Sequence, residues 1–132
     1  MSKFTLDIQA FVAKAKKNPE TVMRSVSLKL FSAIIKGSPV DTGRFRMNWQ
    51  TTGSTPATGL IAGVDATGAK AVNSVATYIT NSPGWDVFTL TNNLPYAERL
   101  EYGWSKQAPV GMVRVNITRF QQLLNEEAAK VR

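Results

Sequence analysis

The stretch Asn18-Pro19-Glu20-Thr21-Val22-Met23-Arg24-Ser25-Val26-Ser27-Leu28-Lys29-Leu30-Phe31-Ser32-Ala33-Ile34-Ile35-Lys36-Gly37 decides how the rest of the chain is read. Asparagine before proline is a helix start: the amide side chain can accept from the first free N–H groups, and proline at the first helical position loses nothing by lacking one. Gly37, with Pro39 beyond it, is a stop signal. Between them Val22, Val26, Leu30, Ala33 and Ile34 form one apolar stripe, which Met23, Phe31 and Ile35 widen. A helix with so broad an apolar face must be covered on more than one side, by a sheet or by a neighbouring subunit.

Upstream, Phe4, Ile8, Phe11, Val12 and Ala15 recur at three- and four-residue spacing and predict a first helix ahead of Asn18. Downstream, from Asn48 to Val64, the composition shifts to Thr, Gly, Ser and Pro. The β-compatible runs Trp49 to Thr52 and Leu60 to Val64 are expected to form a hairpin-like pair. Asp65 to Gly68 reads as a turn and Ala69 to Thr80 as a short helix burying Val72, Val75, Ala76 and Ile79. Asp86 to Asn92 alternates, so a half-buried strand is expected with Phe88 and Leu90 on one face and Val87, Thr89 and Thr91 on the other. Val113, Ile117, Phe120, Leu124, Ala128 and Val131 define a closing helix. The expected fold is α+β: a single domain over residues 1–132, with a small antiparallel sheet packed by long N-terminal and C-terminal helices.

The chain has 132 residues, a formal charge of +7, and neither cysteine nor histidine. Thiol nucleophiles, sulfur-ligated zinc and the commonest general base are therefore missing. Carboxylates, lysines and hydroxyls remain, but Asp41, Asp86, Glu98 and Glu101 lack the spacing of a metal cluster, so no cofactor and no enzymatic activity are expected. No apolar run approaches the ~20 residues that cross a bilayer, and the expectation is a soluble, intracellular chain. Residues 1 to 36 hold seven basic side chains against Asp7 and Glu20, a net of five positive charges. Lys14, Lys16, Lys17, Arg24, Lys29 and Lys36 could face a polyanion, either DNA or an acidic protein surface, or be a solvated helix face.

Two segments are more distinctive. In Ser38-Pro39-Val40-Asp41-Thr42-Gly43-Arg44-Phe45-Arg46, Pro39 fixes one backbone angle, Asp41 or Thr42 can accept from the next free amides, and Gly43 permits close approach or an unusual dihedral. Asp41 can also pair with Arg44. In Asn93-Leu94-Pro95-Tyr96-Ala97-Glu98-Arg99-Leu100-Glu101-Tyr102-Gly103-Trp104, a short helix is expected after Pro95, with Tyr96 near Leu100, Glu98 beside Tyr102 and Gly103 as a left-handed cap. The Asp-Thr-Gly triplet also marks aspartic proteases. Those need paired copies, and Gly37, Ser38 and Pro39 separate this single one from the apolar run before it.

Together the two blocks resemble the head–tail joining and tail-completion proteins of long-tailed bacteriophages. The family shows Pro-Val-Asp-Thr-Gly-x-Leu-Arg before its first strand, matched by Pro39 to Gly43 and Arg46 with Phe45 in place of leucine. It later shows Tyr-Ala…Glu-Tyr-Gly, matched by Tyr96, Ala97, Glu101, Tyr102 and Gly103. The resemblance implies a structural protein of the virion neck or tail, in the host cytoplasm during assembly. It implies a ring, sixfold, that contacts connector or stopper, tail terminator or tail tube, with DNA nearby and no membrane or small-molecule substrate. Asp41, Thr42, Gly43 and Arg46, and Tyr96, Glu101, Tyr102 and Gly103, would shape loops.

A ring needs two different complementary patches on each subunit, and aromatic side chains beside loops are natural anchors. Trp49, Trp85, Trp104, Tyr96 and Tyr102 are the candidates, Trp49 and Tyr96 being better suited to the core and Trp104 to the surface. The alternative function is sequence-independent nucleic-acid binding, favoured by the charge and the tryptophans, although the chain lacks clustered basic-aromatic motifs.

Overall fold

The computed structural model describes residues 2–6, 19–120, 122, 125 and 126. Strand β1 (Ser2–Leu6) is followed by helix α1 (Pro19–Lys36), the short helix α2 (Arg44–Met47), strand β2 (Trp49–Thr52), helix α3 (Ala69–Asn81), strand β3 (Phe88–Asn92), helix α4 (Ala97–Glu101) and helix α5 (Val113–Thr118). The fold is α+β, and its antiparallel sheet runs in the order β1-β3-β2.

Helix α1 is described from Pro19, the first position that the start signal assigns to it. It buries two ridges at four-residue spacing, Val22, Val26, Leu30 and Ile34 beside Met23, Ser27, Phe31 and Ile35. These residues share one core with Trp49, Val75, Ile79, Phe88, Leu90 and Leu94. Each large apolar side chain so buried contributes about 1.5–3 kcal/mol. Tyr78 of α3 meets Phe88 edge to face, with centroids 6.3 Å apart, which seats α3 on the same side of the sheet as α1.

Three expectations are corrected, and a fourth is covered only in part. Residues 2–6 form a strand paired with β3, Ser2 opposite Asn92 and Leu6 opposite Phe88, rather than the start of a helix. The remaining positions of that predicted helix lie outside the described residues. Leu60 to Val64 is not a strand, and β2 pairs with β3, Trp49 opposite Asn92 and Thr52 opposite Thr89. Strand β3 is buried along its whole length rather than on one face. The closing helix is described as an element over Val113–Thr118, and Leu124, Ala128 and Val131 lie outside the described residues.

The burial of β3 and the fate of Leu60–Val64 have one cause. Gln50 and Thr52 stand on the sheet face opposite the core, with Thr89, and their side chains hold the connection after β2. Gln50 Nε2 donates to Gly59 O (3.1 Å), Thr52 Oγ1 to Thr55 O (2.7 Å) and Thr89 Oγ1 to Gly53 O (2.7 Å). Asn93 Nδ2 donates to the carbonyls of Ala57 and Gly59. Buried Asn48 imitates a strand partner: its Nδ2 donates to Ile61 O and its Oδ1 accepts from Ile61 N at 2.8 Å, while Nδ2 also donates to Arg44 O. A polar connector is thereby pinned over the sheet without a third ladder.

Replacing Asn48 by alanine leaves those backbone groups without their partners and should cost about 2–3 kcal/mol in urea unfolding. Amide exchange should accelerate at Ile61 well before it does in α1.

Candidate functional site: a cleft where the two sequence blocks meet

Pro39 to Phe45 from the first block and Tyr96, Leu100, Trp104, Ser105 and Gln107 from the second line one cleft of about 480 Å³. The clip between them is Gln107. Its Oε1 accepts from Val40 N and its Nε2 donates to Val40 O, both at 2.8 Å, so a side-chain amide pairs with the backbone of a residue 67 positions away.

The first wall is set by backbone geometry. Gly43 has φ +96°, and a Cβ there would lie 2.5 Å from Ala66 N and 2.7 Å from Asp65 C, so both the dihedral and the contact require glycine. Gly43 O accepts from Asp65 N at 3.0 Å. Thr42 Oγ1 accepts from Arg44 N at 3.2 Å, which makes Thr42 rather than Asp41 the turn acceptor. Asp41 and Arg44 are exposed and form no ion pair, against expectation.

Arg46 points the other way and ties the turn to its surroundings. Nε donates to Ser38 O (3.0 Å), Nη2 to Lys36 O (2.8 Å) and Nη1 to Ala66 O (2.9 Å). It therefore takes up carbonyls at the end of α1, which have no partner within the helix, and fastens them to the turn before α3. Ser38 Oγ donates to Ile34 O and accepts from Trp49 Nε1, so Trp49 sits in the core with its polar end satisfied. Phe45 meets Trp49 edge to face and Tyr96 at a tilt, at 5.6 and 6.1 Å between centroids, and forms the floor of the cleft.

In the second wall, Glu101 is buried and caps the helix that follows. Oε1 accepts from the amides of Met112 (3.0 Å) and Val113 (2.8 Å), and Oε2 from Arg114 N (2.9 Å) and Arg114 Nε (3.0 Å). A negative charge on the first amides of α5 is favoured by the helix dipole as well. Burial alone would push the Glu101 carboxyl up, but the amides of Val113, Arg114 and Met112 and the Arg114 side chain outweigh it, and its pKa is lowered from the ordinary 4.5. Gly111, at φ +83°, lets the backbone lie against this carboxylate, and a side chain there would collide with Glu101 O. Gly103 is a left-handed cap as expected, at φ +89°, and passes beside Pro109 O.

This second block leaves a tip of exposed apolar groups. Trp104 is 73% exposed, Tyr102 71% and Val110 61%. Arg99 lies over Trp104 at 5.5 Å, and Arg114 over Tyr102 at 4.5 Å. Tyr102 thus pairs with Arg114, and Glu98 meets it through the backbone, where Tyr102 N donates to Glu98 O. Trp85 is half-buried against the core and takes no part in the cleft.

Among the basic residues, Arg24 is turned inward. It pairs with Glu20 and donates to Ile79 O and to Ser82 O, capping the end of α3. Lys29 and Lys36 are exposed, while Lys14, Lys16 and Lys17 lie outside the described residues. Among the described residues no three acidic side chains gather where they could hold a metal, and no helix is long and apolar enough to cross a membrane. Sequence reasoning missed Gln107, Asn48 and Arg114 as site-building residues. Gln107 and Asn48 meet backbone groups and Arg114 meets the carboxylate and carbonyl of Glu101, all reached through the fold, and no local pattern marks them.

A carboxyl whose folded pKa is depressed contributes stability above its unfolded value and loses it as pH falls through the folded one. Glu101→Gln should therefore cost about 2 kcal/mol at neutral pH. The gap from the parent chain should close as urea titrations are repeated from pH 4.5 downward.

No family model, curated protein or solved structure matches the chain, so what the cleft does rests on its own residues.

Proposed function

We propose that this chain is a structural protein of a tailed-phage neck or tail-completion region. In this reading copies join in a ring, six to a turn, that seats the tail on the head connector, without catalysing a reaction. The observation that carries it is the convergence of the two blocks on one cleft, with their residues used to shape backbone. Gly43, Gly103 and Gly111 permit turns, Arg46 and Glu101 satisfy helix ends, and Gln107 locks the loops together. Glu101, a buried acid beside the cleft, is surrounded by donors and is poorly placed to exchange a proton with a substrate.

An architectural part needs loops held in place that present anchors, and the second block, tied down through Glu101 and Gln107, presents Tyr102 and Trp104 to solvent. Aromatic and arginine side chains at the centre of a contact carry most of its energy. The Arg99–Trp104 and Arg114–Tyr102 pairs supply both kinds of group in one place.

Trp104→Ala should leave folding stability within about 0.5 kcal/mol, because the side chain is largely in water. The same change should produce unattached heads and tails when it replaces the parent residue in the encoding genome. Normal yields of joined, infectious particles from a genome lacking the chain altogether would overturn the proposal.

A further inference from the structure

The second patch that a ring requires lies at the open edge of the sheet. Among the described residues strand β2 pairs with β3 alone, and its other edge borders a groove of about 720 Å³ between α3 and the connector. Trp49, Thr51, Ile61, Asn73, Thr77 and Tyr78 are among the residues lining it. Residues 47–64 and 71–85, which build this whole side, contain no Asp, Glu, Lys or Arg. Lys70 and Arg24 stand only at the two ends of α3.

Such a face is unusual on a chain of charge +7. Open sheet edges are normally guarded by charges, proline or a covering element, and surface helices carry charge on their wet side. Here the wet side of α3 carries Lys70 in its first turn and then only Asn73, Ser74, Thr77 and Thr80, and Leu60 and Val64 of the connector stand half exposed. The connector is held by its carbonyls, through Gln50, Asn48 and Asn93, which leaves these apolar side chains outward. Depletion of charge is the compositional mark of an interface centre.

The occupant that fits is a second copy of this chain. Two copies of charge +7 repel wherever their charged surfaces meet, and a charge-free face removes that cost on one side of the contact. The tip bearing Tyr102, Trp104 and Val110 is the complementary element: its arginines stack on its own rings, and its cleft shares no residue with the groove. The two patches also flank α1 on different sides. Arg24 reaches α3, whereas Ala33 borders Asn116 and Arg119, and these α1 positions are about half a turn apart around the helix. A contact between different patches on two sides of a subunit propagates head to tail, and it closes as a ring when the rotation between neighbours divides a full turn.

We infer that the charge-free groove between β2 and α3 of one copy receives the Tyr102–Trp104 tip of the next, an inference that rests on the ring reading above. The chain has no cysteine, so introduced thiols are the only ones present. Trp104→Cys and Thr77→Cys chains, mixed at high concentration and oxidised, should give at least tenfold more covalent dimer than either chain alone. A chain carrying both changes should give a ladder. Ser74→Lys, checked for folding by circular dichroism, should reduce self-association tenfold or more, and Ser74→Ala should not. Oligomers that form without this cross-link and tolerate Ser74→Lys would overturn the inference and leave the ring standing. A chain that stays monomeric and yields no cross-link would bring down both.

Discussion

The Arg46 guanidinium is the constraint from which the site follows. Helix α1 ends at Lys36, and its last carbonyls have no donor within the helix. A planar fork with several N–H groups can meet Lys36, Ser38 and Ala66 at once, which joins the end of the central helix to the turn that starts α3. With that junction set, Gly43 is pressed against Asp65 and Ala66, α2 can start, and Trp49 enters the core under Ser38.

The same device recurs wherever the chain runs through glycine, threonine and serine. Such segments have little apolar surface to bury, so they cannot be fixed by packing and are fixed by amide, hydroxyl and carboxylate groups aimed at their backbone. Asn48 does this for Ile61, Gln107 for Val40, Asp65 for the amide of Ala71 and Glu101 for the start of α5. The result is a set of loops held by side chains around an apolar floor.

How much of this was legible in the sequence depends on the range over which each interaction acts. Helix α1 was readable because Asn18, Pro19 and Gly37 mark its ends and its apolar ridges recur at fixed spacing. The glycine cap at Gly103 and the turn at Gly43 were readable because the backbone conformation is a local property. Strand β1 was not, since Phe4 falls in phase with Ile8 and Phe11 as well as in a short alternation, and five residues cannot separate the two periods. The Leu60–Val64 run has strand composition, but side chains from β2 and Asn48 claim its backbone. That same coverage hides the second face of β3, which the alternation of Phe88 to Asn92 had left to solvent. Gln107 meeting Val40 is a contact between distant positions and leaves no trace in either neighbourhood.

The central claim is that backbone recognition by side chains of fixed geometry, rather than charge or bulk, holds the two blocks in place. Comparing urea midpoints of Arg46→Lys and Arg46→Ala with the parent tests it most directly. Lysine keeps the charge and much of the length but cannot direct separate N–H groups at three carbonyls, so both variants should lose about 2 kcal/mol or more. An Arg46→Lys chain as stable as the parent, within about 0.5 kcal/mol, would contradict the account.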